Sequence, residues 1–596
     1  MSDFLFSSIP EPEGGLSECL RHIHSGREIK IREFRGRWGT LAVSGGMYSG
    51  FDPLETDSHL FVIIGGPVFY FRDNAFLSER DSSSATESLY ERWLEGNLRF
   101  DEDISGPFAI LVVDKGEKVV FCITDLMMFI PVYCFSEFGK LMLGTHSDAL
   151  AKAAGQENRT DPVSIGDFVL NQVVTYPYTF YRNIRQCRPS TIHAFDLPNR
   201  KKSESYYWLP LEKNSFAGIR QAADHLRNRL REYVSSVTEH AGSIAQFISA
   251  GEDSRALAGL MPENSRCDCF VFLDRMNREG RIAGKAARIY GLDFQALYRN
   301  RMYYLDILPS AARLIGSGQQ YTHAHSIGFA QKAALDKYSA VFGGYLSDSL
   351  LKGYHGRKRK IRSREHLLKP QESFTDHSVL KPDIIREIRK RQYAHMRRVK
   401  KLRPSSALEW FVLWPATMRA GMSNFHSSRR LFKSYEPFMC GAAVKVGAAV
   451  PARWKLNHRL FYKAMKPMLA RSKWLPSSDG RLPYFPWWIN IFLRFLVRQW
   501  RDAKRKTGIE SGHQGPWCEW NDTDLNKKLC ESVFVYRTEF EHISHIFTDE
   551  KLDELLAPGR LSPHRKVNLL QILHRLNDSG IEPDAENISR GTFLQT

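Results

Sequence analysis

Ser249-Ala250-Gly251-Glu252-Asp253-Ser254-Arg255 lies between an apolar run, Ser243–Ile248, and a helical pattern over Ser254–Leu260. This placement decides the reading of the second half of the chain. Small residues where a strand ends and a helix begins let backbone N–H groups surround an anion, and the helix dipole favours negative charge there. An acidic side chain in the same turn makes little sense as a phosphate contact. It makes good sense as a ligand of Mg²⁺ beside phosphates, because this hard cation takes carboxylate and phosphate oxygens together. Taken alone, the stretch is also a helix N-cap supplied by Ser249 or Asp253, with glycine for the turn.

Downstream, Cys267–Leu273 reads as a second strand, Arg281–Ile289 as a second helix, and Ala340–Phe342 as a short strand entering Gly343-Gly344. Strand–helix alternation predicts a parallel sheet with its ligand site at the strand C-terminal ends. Upstream, residues 29–200 read differently. Ile31–Val43, His59–Phe71, Phe108–Val113, Lys118–Thr124 and Leu141–Gly144 are short apolar or alternating runs punctuated by glycines, the pattern of antiparallel hairpins. The polar stretch Lys201–Glu212 and a helical run over Ala217–Glu239 mark the change. The expected units are residues 1–205, residues 213–500, and a charged extension over 501–596 without an interpretable motif.

The 596 residues are 43% hydrophobic and 25% charged, which excludes a disordered or collagen-like chain. Nine cysteines form no CxxC pair, as expected of a reduced, cytoplasmic protein. The net charge of +18 is concentrated in Gly356–Arg364 and Arg386–Lys401. Such tracts could track a phosphate backbone or receive an acidic peptide, but no zinc-finger spacing or RNA-binding aromatic signature accompanies them. Nucleic acid is therefore not expected as the main ligand. No transmembrane segment is expected. The nearest candidate, Trp487–Trp500, is broken by Asn490, Arg494 and Arg498, and reads as an amphipathic helix lying on a membrane surface or packed on its own domain.

SAGEDS resembles the SGGxDS pyrophosphate loop of the ATP-pyrophosphatase superfamily, with Ala250 in place of the first glycine. Over residues 30–480 the chain is similar to the asparagine synthetase family. Ile104–Ala109, Asp125–Tyr133 and His146–Leu150 resemble that family's stretches upstream of the loop. Asp274, Glu279, Ala283, Ala287, Gly343–Asp348 and Tyr435–Phe438 match those downstream. The resemblance implies an N-terminal Ntn-hydrolase-like antiparallel β-sandwich followed by a parallel-sheet, Rossmann-like synthetase domain with a helical extension. It implies ATP and Mg²⁺ as cofactors. Ser249, Gly251 and Ser254 would hold the phosphates, Asp253 and Asp348 the Mg²⁺, and Phe272 and Gly344 would border the adenosine.

Three departures shape the expected function. Glutamine-hydrolysing members use a cysteine directly after the initiator methionine, whereas this chain begins Met1-Ser2-Asp3, with its first cysteine at Cys19. Residues 1–30 read as an extension ahead of the first matching strand, and the first domain as an inactive remnant. Tyr345 stands where asparagine synthetases carry a glutamate and β-lactam-forming relatives carry a tyrosine used in base catalysis. The acidic partner expected near Gly421–Asn424 is missing. The lysine that stabilises the adenylate falls among Lys455, His458 and Arg459, with Lys455 preferred.

Loss of the cysteine with the fold kept resembles the β-lactam and carbapenam synthetases and the lasso-peptide cyclases. The leading expectation is an ATP-dependent ligase that activates a carboxylate as an acyl-adenylate and forms a peptide macrolactam. Its partners would be a peptide or small-molecule carboxylate and a leader peptidase or recognition protein. The alternatives are an amidotransferase using ammonia or a partner glutaminase on a small acid or sugar, and a non-catalytic scaffold.

Overall fold

The computed structural model describes residues 1–24, 27–78, 83–137, 139–263, 265–353, 379–506, 514–515, 523–549 and 551–578. The basic tract Gly356–Arg364 lies outside them. The N-terminal part is two six-stranded antiparallel sheets. One runs in the order Ile184–Gln186, Tyr133–Glu137, Lys140–Gly144, Asp3–Ser7, Gly39–Ser44, Ile31–Gly36. The other runs Lys201–Tyr206, Thr191–Asp196, Val119–Thr124, Phe108–Asp114, His59–Gly65, Leu54–Glu55. Phe4, Phe6 and Leu41 of the first sheet share one core with Ile63, Ile110 and Ile123 of the second. The central runs of the second sheet, HLFVIIG and FAILVVD, are buried on both faces almost throughout, so they read as continuous rather than alternating apolar segments.

Residues 1–30 are not an extension ahead of the sheet. Asp3–Ser7 is a central strand, pairing Leu5 with Ala42 on one side and with Gly144 on the other. The strand is short and lies next to a helix, Gly15–Ile23, so its signal is weak in the sequence. Lys201–Tyr206, read as a polar boundary, is an edge strand with mostly exposed side chains.

The second part is a five-stranded parallel sheet: β1 Ile244–Phe247, β2 Cys267–Leu273, β3 Asp293–Tyr298, β4 Ala340–Phe342 and β5 Ser434–Tyr435, in the order 3-2-1-4-5. The direction of winding reverses between β1 and β4. In such sheets the ligand crevice opens at the strand C-terminal ends beside that reversal. The loops leaving β1 and β4 carry Ser249–Ser254 and Gly343–Asp348, so the topology alone brings the two predicted segments together.

The two parts are tied by buried charge. Asp3, with no solvent exposure, accepts hydrogen bonds from Arg430 Nε (2.8 Å) and Nη2 (2.6 Å), Arg429 Nη2 (3.1 Å) and Thr145 Oγ1 (2.9 Å). Both arginines stand on the helix Met422–Leu431, which leads directly into β5. Burial opposes the Asp3 charge, but the two guanidiniums outweigh it and hold the carboxyl far below the usual range.

A second tie comes from the helix Pro563–Asp578, in the region read as an uninterpreted extension. Gln571 Oε1 accepts from Tyr321 N–H (2.9 Å), Asn568 Nδ2 donates to the Phe168 and Val169 carbonyls, and Arg575 pairs with Asp148 (3.3 Å).

The helix Trp487–Lys506 packs by one edge, where buried Asn490 donates to the carbonyls of Leu482 and Phe485. Trp488, Ile491, Phe492 and Phe495 stay 58–63% exposed on its other side. No helix among the described residues is long and apolar enough to cross a membrane.

Asp3→Asn is expected to destabilise the chain by about 3–5 kcal/mol, because it leaves two buried arginines without their carboxylate. A depressed carboxyl adds stability above its unfolded value of about 4 and loses it as the pH falls below that. Urea midpoints should therefore fall from pH 5 to pH 3 in the wild type and fall less in Asp3→Asn.

Candidate active site

The loop after β1 is built from its own side chains. Ser254 Oγ accepts from Ser249 N–H (3.0 Å) and lies 2.9 Å from Ser249 Oγ, which accepts from Gly251 N–H (3.0 Å). The Ala250 N–H donates to Glu279 Oε1 (2.7 Å) at the start of the helix Arg278–Tyr290. Arg255, fully buried, donates to the carbonyls of Ala250 (2.8 Å), Leu475 (2.7 Å) and Pro476 (2.8 Å). One guanidinium thus fixes the loop to a segment 220 residues away. The serines, the glycine and the helix N-terminus lie together, as read from the sequence.

The loop after β4 is shaped by two glycines. A Cβ on Gly343 would lie 2.2 Å from Glu436 Oε1, and one on Gly344 would press on Asp253 Cβ at 3.2 Å. Glu436, directly after β5, accepts the Tyr345 N–H (2.8 Å), and burial pushes its carboxyl up to about 8. Leu346 is held at φ 75°, a costly region for a branched side chain, and Asn457 and His458 on the opposite wall sit at 55° and 61°. Such conformations persist where the surroundings over-determine them.

Asp253 and Asp348 meet across these two loops, and Lys352 joins them. Its Nζ lies 2.5 Å from Asp253 Oδ1, 2.8 Å from Asp348 Oδ1 and 3.1 Å from Glu252 Oε1. Burial pushes Asp253 up to about 7, against the pull of Lys352. Asp348 is more exposed. Burial raises it too, but the lysine prevails and holds it below the usual range. For Lys352, burial favours the neutral form, yet the three carboxylates outweigh it and keep the ammonium charged.

Glu252 also pairs with His458 Nδ1 and lies 3.6 Å from Arg481. Beside it opens a cleft of about 310 Å³, lined among others by Glu252, His458, Arg459, Tyr462, Arg481 and Arg494. Its cationic lining suits an anion.

The structure places the other predicted residues less simply. Lys455, the preferred lysine, is turned away: fully buried, it pairs with Glu409 (2.7 Å) and donates to the Gly447 carbonyl (3.3 Å). Burial lowers its pKa, and Glu409 only partly restores it. An ammonium committed to a buried carboxylate is costly to redirect. His458 does face the loop. Phe272 sits in an aromatic cluster, 4.7 Å from Phe329 and 5.1 Å from Tyr303, with the Arg299 guanidinium 5.3 Å from its ring.

Tyr345 Oη is buried without a hydrogen-bond partner among the described residues. A Cβ on Gly421 would lie 2.7 Å from it, so this glycine leaves room for the phenol where an acid was sought. Burial raises the phenol pKa, which suits a hydrogen-bond donor better than a base.

Sequence reasoning missed Lys352, Glu436 and Arg481. Lys352 had one available signal, its position one helical turn after Asp348; Glu436 lay inside the family-like stretch Tyr435–Phe438 without a role.

A parallel sheet with a small-residue loop and paired acids at its switch point is the setting of a ligand site, and two family models match the chain on either side of residue 210. Residues 225–472 match the model of the asparagine synthase family, and residues 40–208 that of a glutamine amidotransferase domain. A glutamine amidotransferase-like domain thus stands ahead of an asparagine synthase-like ligase domain.

A curated relative, the putative glutamine-hydrolysing asparagine synthetase 2 of Methanocaldococcus jannaschii, is 19% identical over 210 residues, 34% of this chain. The match spans 40% of the relative's length. Two solved structures overlay with a TM-score of 0.24: an allosteric regulatory enzyme of purine biosynthesis (9% identity) and a glutamine phosphoribosylpyrophosphate amidotransferase from B. subtilis (10%). Each overlay covers 49% of this chain and 80% or 81% of the other. Likeness at that level says nothing about activity.

Gly343→Ala should cost about 1–3 kcal/mol through collision with the Glu436 carboxylate, read as a lowered thermal midpoint. Gly343→Ala combined with Glu436→Ala should recover part of that loss.

Proposed function

We propose that this chain is an ATP- and Mg²⁺-dependent amide-forming ligase that activates a substrate carboxylate as an acyl-adenylate. The observation that carries the reading is the convergence of the Ser249–Ser254 loop with Asp253 and Asp348 at the reversal of strand order. The donor set fits magnesium. Two hard carboxylates are close enough to share one cation, as the Lys352 ammonium between them does. No group of three or more metal-binding side chains is present among the described residues, so phosphate and water oxygens would complete the shell. Bound there, the ion would neutralise charge on the leaving pyrophosphate.

The chain's own residues supply the rest. The free N–H groups at the head of the helix Glu252–Ala258, with Ser249 and Ser254, orient the phosphates. Lys352 and Arg481 provide positive charge beside them, while burial lowers the His458 pKa and leaves that imidazole as a hydrogen-bonding partner of Glu252. The substrate carboxylate attacks the α-phosphorus and pyrophosphate leaves; an amine then attacks the acyl carbon, AMP departs and the amine's surplus proton passes to solvent. Tyr345, its phenol without a hydrogen-bond partner among the described residues, donates to the acyl oxygen.

We infer that the amine belongs to the substrate, in a peptide macrolactam cyclisation of the lasso type. Two first-domain thiols are unsuited to act as glutamine-hydrolysing nucleophiles, which favours an amine from another source. Burial pushes Cys19 up to about 11 and raises Cys134 as well, so both stay protonated and unreactive near neutrality. The name of the curated relative, a putative glutamine-hydrolysing asparagine synthetase, favours a second reading, amide formation on a small acid with ammonia supplied free or by a glutaminase. Ammonia-stimulated pyrophosphate release in the purified protein would decide for it.

Asp253→Asn and Asp348→Asn should each reduce ATP–pyrophosphate exchange by about 10²-fold or more while the fold is kept. Exchange unchanged in both would favour a non-catalytic scaffold. Tyr345→Phe should leave exchange within about twofold and slow amide formation by about 10²-fold, which separates activation from capture.

A further inference from the structure

In the proposed reaction Lys352 does no more than supply charge, yet its placement is specific. The side chain is 2% exposed as a residue, its Nζ lies 4.6 Å from the centre of the Phe461 ring, and Asp253, Asp348 and Glu252 each hold it. An ammonium has three protons to give, and here three carboxylates receive it. It stands between the two acids proposed as metal ligands. A divalent ion shared by Asp253 and Asp348 would lie within a few ångströms of this nitrogen, and at that range two cations repel.

Glu252 sharpens the point. It already engages His458 and lies near Arg481, so it can release Lys352 without becoming an unpaired buried charge. Asp253 and Asp348 have no second cation of that kind within ion-pair distance among the described residues. The lysine is thus bound most tightly by the groups that a metal would need. A triphosphate entering along the Ser249–Ser254 loop brings several negative charges to the same spot, enough to draw the ammonium off the carboxylates.

We propose that Lys352 is the resident counter-cation of the metal site and makes divalent-metal binding conditional on nucleotide. Without nucleotide the ammonium holds the shared position between Asp253 and Asp348. With nucleotide it turns to the phosphate oxygens and the metal takes its place. This rests on Asp253 and Asp348 being the metal ligands. It assigns Lys352 as a positioning residue that orders the binding events.

The test is Mn²⁺ binding to the full chain, read from the free-ion EPR signal against protein-free blanks, with and without a non-hydrolysable ATP analogue. Wild type should bind Mn²⁺ about tenfold or more tighter when the analogue is present. Lys352→Met, which keeps the packing on Phe461, should bind Mn²⁺ without nucleotide about tenfold or more tighter than wild type. Lys352→Arg, which keeps the charge, should stay near wild type.

Equal wild-type affinity with and without the analogue would overturn the proposal, and this arm needs no variant to fold. So would a Lys352→Met protein that folds and shows no gain. If wild type binds the analogue but no protein binds Mn²⁺ in either state, the assignment of Asp253 and Asp348 as metal ligands falls, and this inference with it.

Discussion

One carboxylate, at residue 3, governs how distant parts of the chain are arranged. Asp3 lies inside the first sheet and pairs with both Arg429 and Arg430, and this fixes the helix Met422–Leu431 against the N-terminal sandwich. The helix delivers β5, β5 delivers Glu436, and Glu436 holds the Tyr345 N–H and bars any side chain at Gly343. The geometry of the Gly343–Asp348 loop is thus linked to an ion pair that spans the two parts of the chain. Paired burial of this kind is poor at raising stability and good at fixing one arrangement, because every other arrangement strands a charge.

The same logic governs the site itself. Glu252, Asp253 and Asp348 would repel one another if left alone in a partly enclosed cleft. Lys352, His458 and Arg481 make their company tolerable. The site is poised between two sets of counter-charges, its own and those a nucleotide brings. Its strained backbone at Leu346, Asn457 and His458 is consistent with surroundings that enforce shape at some local cost.

Much of the parallel sheet was legible because its signals are local. Cys267–Leu273, apolar but for Asp268, and Ala340–Phe342 are runs with clear ends, and both strands occur as read. The loop at Ser249–Ser254 carries its chemistry in adjacent residues. Strands β3 and β5 escaped notice: β3 is half-exposed and mixed in composition, and β5 is two residues long. Asp3–Ser7 was hidden because five residues are too few to show a period. The preference for Lys455 failed in its geometry for another reason. A basic residue's sequence position does not say which carboxylate claims it, and Glu409, 46 residues earlier in the chain, does. Glu436 acts through partners distant in sequence, as does Lys352 apart from Asp348 one helical turn before it, and single-sequence patterns do not report such distant pairings. Asp125 lies between these cases. It stood out within a family-like stretch, but only the structure shows why, with the N–H groups of Phe108, Met127, Phe129 and Ile130 all donating to it.

The helix Pro563–Asp578 gives the molecule a clock. Gln571 is the partner of Tyr321 across 250 residues, and Asn568 that of Gln320 across 248. At a synthesis rate of about 5–20 residues per second, those bonds wait roughly 12–50 s after their first halves leave the ribosome. During that interval the faces of Pro162–Asn171 and Leu308–Ile315 that this helix later covers lie open to water, to chaperones and to one another. The chain is thus exposed longest at the seam between its two halves, and a slowed ribosome there lengthens the time in which that seam can stick to something else.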